Sequence, residues 1–261
     1  MALTGKSPAE TYKDLLTIEN SNNGVDSTLR SVKTGNGSDS SASISDRALK
    51  IKSATDNTTA LDIQNSSGST KFVVDTTNSQ VKALGTHVNT QYATFTVGST
   101  ESTGFDANTH EALTFGSANY GVLGNSPQFG TSTDPATSFT TADSSSSMAS
   151  DLVPCLWYVP DAVSIDSVYH IEGADNATGD TTRMHLMAYT FTSGSTSALS
   201  SGTVLAHNND ITNAGNEQAY SGTWTVDSAS VSAGKVVLAT FRSDSINSDY
   251  SLQVIVKYHL T

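Results

Sequence analysis

The chain has 261 residues and a formal net charge of −12. Ser, Thr, Asn and Gly supply 112 residues, whereas Leu, Ile, Val and Phe supply only 53, about a fifth of the chain. That share is at the lower edge of what builds a packed core, so the composition disfavours a compact single-core enzyme. No run approaches the ~18 apolar residues of a membrane span, and the first residues lack the apolar stretch of a secretory signal. We therefore expect no membrane partner.

Residues 1–24 are predicted to form an attachment peptide. A helix capping box at residues 7–10 favours a short helix, although the apolar run that follows could equally be a strand. We expect this segment to dock on another protein, and packing against the chain's own next segment is the alternative. The predicted attachment residues are Tyr12, Leu15, Leu16 and Ile18.

Residues 25–90 repeat a short strand-like pattern separated by polar turns. They contain only fourteen Leu, Ile, Val or Phe residues, too few for one copy to offset the entropy of ordering the segment. We predict an intertwined β-stalk in which three chains share one core, and a disordered linker is the alternative. The predicted stalk core consists of Leu49, Ile51, Leu61, Ile63, Phe72 and Val74.

Residues 91–261 contain about eight to ten strand-like runs without helical periodicity, which predicts an all-β head of the β-sandwich or jelly-roll type. Residues 125–150 are rich in Ser and Thr and are predicted to be a long surface loop. The run Thr182–Thr192 is apolar on both faces, so a loop or a neighbouring subunit must cover it. We favour subunit packing and predict a trimer interface in the head at Met187, Tyr189 and Phe191.

The acidic residues are concentrated in this head. Residues 1–90 carry nine basic and nine acidic side chains, whereas residues 91–261 carry four basic and sixteen acidic ones. Such a surface repels phosphate groups, so we expect no nucleic-acid partner.

No motif for catalysis or metal binding stands out. The six histidines form no HxH or HxxxH pair, no GxSxG elbow occurs, and Cys155 lies in an apolar run that favours an inert buried thiol over a nucleophile. The turn Glu172–Asp180 is expected to be solvated, with a weak calcium site as the alternative. We therefore expect no enzyme activity, cofactor or metal. Aromatic rings suited to stacking on a sugar make three residues candidate glycan contacts: Trp157, Tyr158 and Trp224.

Several stretches resemble virion appendage proteins of tailed bacteriophages. The N-terminal half of those proteins is similar to TYKDLLTIENSNNGVDSTLRSVKTGNGSDSSASIS, ALKIK and KFVVDTTNSQVKALG. Their jelly-roll heads are similar to VPCLWYVPDAVSIDSVYHIEGA, DSASVSAGKVVLATFRSD and SDYSLQVIVKYHL.

The resemblance implies a homotrimeric, non-enzymatic structural protein of the virion, assembled in the host cytoplasm. Its N-terminus would be anchored to capsid, portal or tail proteins, and its head would be exposed on a tail fibre, head fibre or capsid decoration. Two other classes stay open: a carbohydrate-binding or adhesin module that contacts a host-surface glycan, and a polysaccharide-acting tailspike enzyme.

Overall fold

A computed structural model describes residues 16–18, 20, 23–98, 106–116, 126–144, 146–175, 177–245 and 249–261. The described chain is almost entirely β-structure, so the predicted all-β class is confirmed. It divides into two compact units, Met1–Val88 and Asn89–Thr261, and the boundary expected from the sequence lies two residues further on. Within the described ranges, no helix is long and apolar enough to cross a bilayer.

The first unit contains two four-stranded antiparallel sheets, in each of which neighbouring strands pair in chain order. The first sheet comprises β1 (Leu16–Ile18), β2 (Arg30–Thr34), β3 (Asp39–Ile44) and β4 (Leu49–Ile51). The second comprises β5 (Leu61–Gln64), β6 (Thr70–Asp75), β7 (Gln80–Ala83) and β8 (Thr86–His87).

The polar turns make these hairpins possible. Between β5 and β6, the Asn65 side-chain oxygen accepts hydrogen bonds from the backbone N–H groups of Ser67 and Ser69. Gly68 adopts a φ of +80°, a conformation that glycine reaches without strain. The sequence predicted reversal at this turn, and the structure contains it.

The described residues of the first unit form strands without a buried interior. None of residues 23–88 is buried, and Leu49 keeps 67% of its surface exposed. Small sheets of this kind depend on covering an apolar face. The described residues of this unit only partly cover the apolar side chains of its strands.

The second unit has thirteen strands in the described residues and one short helical segment. The strands are β9 (Thr90–Val97), β10 (Glu111–Ala112), β11 (Thr114–Phe115), β12 (Trp157–Tyr158), β13 (Val163–Asp175), β14 (Thr181–Phe191), β15 (Leu199–His207), β16 (Ile211–Thr212), β17 (Gln218–Thr223), β18 (Thr225–Val226), β19 (Ser230–Val231), β20 (Lys235–Ser243) and β21 (Asp249–Leu260). The helical segment is α1 (Ala149–Leu152), which runs into a 3₁₀ turn at Val153–Cys155.

These strands form two antiparallel sheets. The six-stranded sheet has the order β11-β9-β21-β13-β17, with β19 also on β13. The seven-stranded sheet has the order β10-β20-β14-β15-β18, with β12 on β20 and β16 on β14. Most successive strands change sheet, so the chain passes back and forth between the two layers.

A single core lies between the two sheets. The six-stranded sheet contributes Phe95, Val168 and Val254, and the seven-stranded sheet contributes Leu186 and Phe241, all of them fully buried. Their alternation with outward-facing residues is the period of two that a two-layer sandwich requires.

A second apolar cluster lies on the outer face of the seven-stranded sheet. The segment between β11 and β12 covers this face with Phe129, Phe139 and Leu152. Phe139 exchanges backbone hydrogen bonds with Leu199 of β15, which fixes the segment to the sheet. The predicted surface loop at 125–150 is therefore wrong in one respect, because its two phenylalanines are buried.

Candidate functional site

One face of the first sheet is apolar and the other is polar. Side chains directly opposite one another in paired strands share a face, and the register pairs Ile18 with Val32, Ile44 with Leu49, and Ala42 with Ile51. Arg30, which is on the same face of β2 as Val32, lies opposite Ile44. The apolar residues of β1 and β2 therefore share a face with those of β3 and β4. On the other side, the residues that this register pairs are all polar: Thr17, Ser31, Lys33, Asp39, Ser43 and Lys50.

The second sheet repeats this arrangement. Its register pairs Leu61 with Val74, Val74 with Val81, and Ile63 with Phe72, so these side chains share one face. Asp62 and Lys82 lie on the other face, where Val73 is the exception. We call the apolar face of the first sheet the first stalk face and the apolar face of the second sheet the second stalk face. All six predicted stalk-core residues lie on them, and Leu49, Ile51 and Ile63 are more than two-fifths exposed.

The predicted attachment residues fall partly outside the described chain. Tyr12 and Leu15 lie outside the described residues. Leu16 and Ile18 lie in β1, which is a strand and not a continuation of the helix considered from the sequence. Strand β1 is at the edge of the first sheet, and Leu16 is 70% exposed.

The predicted head interface is placed differently from our expectation. Strand β14 is apolar on both faces as predicted, since Leu186 faces the sandwich core and Met187 faces outward. However, Met187 and Tyr189 are buried by the chain's own covering segment, and the Tyr189 hydroxyl donates to the Ala136 carbonyl at 2.7 Å. These two residues are therefore unavailable to a neighbouring subunit, and only Phe191 keeps an exposed surface.

The predicted glycan contacts are also separated by the fold. Trp157 and Trp224 are buried in the sandwich core, and the Trp224 indole N–H donates to His170 Nδ1 at 2.8 Å. Buried rings cannot stack on a sugar, so the prediction is wrong for both tryptophans. Tyr158, the next residue along β12, points to the opposite side and is exposed.

Two further sequence expectations have clear outcomes. Cys155 is buried, and burial raises the pKa of its thiol to about 12, in agreement with the predicted inert thiol. The turn expected at Glu172–Asp180 is shorter than predicted, because β13 continues to Asp175. Glu172 is consequently buried in the sandwich, where desolvation raises the pKa of its carboxyl to about 7.

The described residues leave much of the outer face of the six-stranded sheet exposed. The register of β9, β21 and β13 brings together four outward-facing residues, Tyr92, Tyr169, Ile171 and Ile255, which we call the tyrosine face. Tyr92 and Ile171 are both more than half exposed. The tyrosine face is therefore an exposed surface of the second unit that carries several large apolar side chains.

A polar cleft that sequence reasoning missed lies at one end of the seven-stranded sheet. Pairing of β14 with β15 sets His185 opposite His207, and the ring of His110 packs edge-on against His185 with centroids 5.1 Å apart. The cleft has a volume of about 530 Å³, and His110 lies behind its lining residues. The lining consists of Thr133, Asp134, Arg183, His185, Val204, His207, Asn208, Asn209, Asp210 and Asp227. We call this cleft the histidine cleft. A volume of this size is ordinary for a small-molecule site, which ranges over about 300–1,000 Å³.

Each carboxylate that lines the histidine cleft lies beside one nitrogen-bearing side chain. His185 Nε2 lies 3.3 Å from Asp134 Oδ1, and His207 Nδ1 lies 2.7 Å from Asp227 Oδ2. Burial, and to a smaller extent the neighbouring His110, lower the pKa of His185 to about 4, so His185 is neutral at physiological pH. Arg183 donates to both carboxylate oxygens of Asp210, which lowers the pKa of Asp210.

No protein-family model matches the chain, and no curated protein has significant sequence similarity to it.

Proposed function

We propose that the protein is a non-enzymatic, homotrimeric structural component of a bacteriophage particle. Residues of its first unit would form a stalk shared among three chains, and its second unit would be the exposed head of a short fibre or capsid decoration. The observation that carries this proposal is the pair of stalk faces, each lined mainly by apolar side chains of paired strands and each only partly buried.

Burial of the stalk faces between copies supplies the missing stability. Removing one Leu or Ile side chain from water contributes about 1.5–3 kcal/mol. Leu49, Ile51 and Ile63 are each more than two-fifths exposed in one chain, so each has much of that contribution still to gain. The polar opposite faces, which carry Lys33 and Lys50, would remain in contact with water.

In the head, the tyrosine face is the surface we assign to contact between copies. The outer face of the seven-stranded sheet already carries the covering segment, which buries Met187 and Tyr189. Strands that pass between two sheets support a head of the jelly-roll type that the resemblance implies. The excess of acidic residues in residues 91–261 favours solubility of a projecting head.

The N-terminus is the proposed anchor. Among the described residues, strand β1 lies at the edge of the first sheet, and sheet edges readily accept a strand from another protein. Leu16 and Ile18 would then contact a capsid, portal or tail protein of the particle.

The experiment that tests the virion role is detection of the chain in purified particles of the source phage. We expect the chain to sediment with intact particles and a cryo-EM map to contain a three-fold appendage that fits three copies. A chain that is made during infection but is missing from gradient-purified particles would refute the virion role.

A further inference from the structure

We propose that the histidine cleft binds a neutral saccharide through the carboxylates of Asp134 and Asp227 and the amide of Asn208. This inference is independent of the proposed assembly role, and it uses none of the aromatic residues that the sequence suggested for glycan contact.

The charges of the cleft disfavour an anionic ligand. Three carboxylates line it, those of Asp134, Asp210 and Asp227, against the guanidinium of Arg183 among its described lining residues. The Nε and Nη2 groups of Arg183 both donate to Asp210, at 2.6 and 2.5 Å. Two carboxylates therefore remain without a full counter-charge, and they would repel a phosphate or a sugar acid.

The polar groups also fit a cation poorly. The imidazoles do not converge on one point, because His185 is held by Asp134 and His207 by Asp227, with ring centroids 6.2 Å apart. Asn208 Oδ1 accepts the Met184 backbone N–H at 2.5 Å, which fixes the orientation of the amide. Its Nδ2 group is buried and has no partner among the described residues, and an N–H donor cannot stabilise a positive charge.

A hydroxyl group satisfies both kinds of protein group at once. It donates to a carboxylate and accepts from an amide N–H, and a saccharide presents several hydroxyls in a fixed arrangement. Asp134 and Asp227 are partly exposed, so each can accept a ligand hydrogen bond besides its contact with histidine. Val204 adds an apolar contact for the C–H groups of a sugar ring.

Saturation-transfer NMR on the full-length chain tests this assignment. The probes are glucose, galactose, mannose and N-acetylglucosamine, each at millimolar concentration. We expect at least one sugar to receive saturation, and we expect Asp134→Ala and Asp227→Ala each to weaken its binding about fivefold or more, the effect of losing one hydrogen bond. Asp143→Ala, at an exposed acid away from the cleft, should bind like the wild type.

Three outcomes would overturn the assignment. They are no saturation of any of the four sugars, equal binding by all three variants, and binding of spermidine or Ca²⁺ at the cleft in place of sugar. Melting temperatures of the variants must match the wild type, and a variant that fails this check is replaced by Asp134→Asn or Asp227→Asn. Sedimentation of the same samples separates the two proposals, because a trimer that ignores sugars refutes only the cleft, and a monomer that binds them refutes only the assembly.

Discussion

Replacing Glu172 by Gln should reduce the fall in unfolding free energy that the second unit undergoes between pH 5 and pH 8. Glu172 is buried on β13, where its Oε2 accepts a hydrogen bond from the Thr182 hydroxyl at 3.1 Å. Its Oε1 has no partner among the described residues, so ionisation would leave charge in the sandwich core. Burial accordingly raises the pKa of this carboxyl to about 7 from the ordinary 4.5.

The direction and size of the effect follow from proton linkage. The folded state holds the proton between pH 4.5 and 7 while the unfolded state has lost it, so stability is greatest below pH 4.5 and falls as the pH rises through 7. The difference between the two pKa values is worth about 3 kcal/mol in total, of which about 2.5 kcal/mol is lost between pH 5 and pH 8. Gln keeps an oxygen for the Thr182 hydroxyl and does not titrate.

Urea unfolding at pH 5 and pH 8, followed by tryptophan fluorescence, measures this loss. Both tryptophans belong to the second unit, so the signal reports on that unit. The wild type should lose about 2.5 kcal/mol more unfolding free energy between the two pH values than Glu172→Gln does. Glu111 also has a pKa raised to about 7 by burial, but its contribution is common to both proteins and cancels. Asp161→Asn, at an exposed acid, is the matched control, and an equal loss in wild type and Glu172→Gln would refute the reasoning.

Three other results are expected. Gly202→Ala should lower the unfolding free energy by about 1–3 kcal/mol, because a Cβ there would lie 2.5 Å from the Tyr189 ring and 2.8 Å from the Thr137 backbone. Urea titration measures this change. The control is Gly98→Ala, which should have no effect because no described atom lies within 4 Å of its Cβ position. The Cys155 thiol should not react with a disulfide reagent until the protein is denatured, and rapid labelling of the native chain would contradict its burial. Acrylamide should quench the native fluorescence weakly, since Trp157 and Trp224 are both buried, and quenching as strong as in urea would contradict their positions.

The sequence predicted those features that depend on local alternation. In β21, the period of two placed Leu252, Val254 and Val256 on one side, and all three are buried. Ile255 was the exception to that pattern, and it lies on the opposite, tyrosine face. The sequence also predicted that β14 is apolar on both sides, because neighbouring side chains of a strand point to opposite faces.

The sequence could not identify the element that covers the outer face of β14. Phe129 and Phe139 are isolated phenylalanines in a Ser- and Thr-rich stretch, and nothing in their spacing marks them as core residues. A similar limit applies to the neighbours Trp157 and Tyr158, since alternation separates their faces without telling which side is the core. Which side is buried depends on packing between residues far apart in the sequence, and a local pattern carries no information about that packing.

The histidine cleft was missed for a related reason. His110, His185 and His207 are far apart in sequence and form no spacing motif, and the register of β14 against β15 brings two of them together. The only signal available beforehand was the presence of histidines on strand-like runs, which equally predicts surface residues. Register is set by the whole sheet, so it becomes visible only in the folded chain.

Sedimentation equilibrium of the full-length chain at micromolar concentration tests the shared stalk most directly. We predict the mass of three chains, and we predict that Leu49→Ser weakens the trimer while Lys50→Ser, on the polar side of the same strand, leaves it intact. A folded particle with the mass of one chain, or equal behaviour of the two variants, would contradict the claim that the stalk faces are buried between copies.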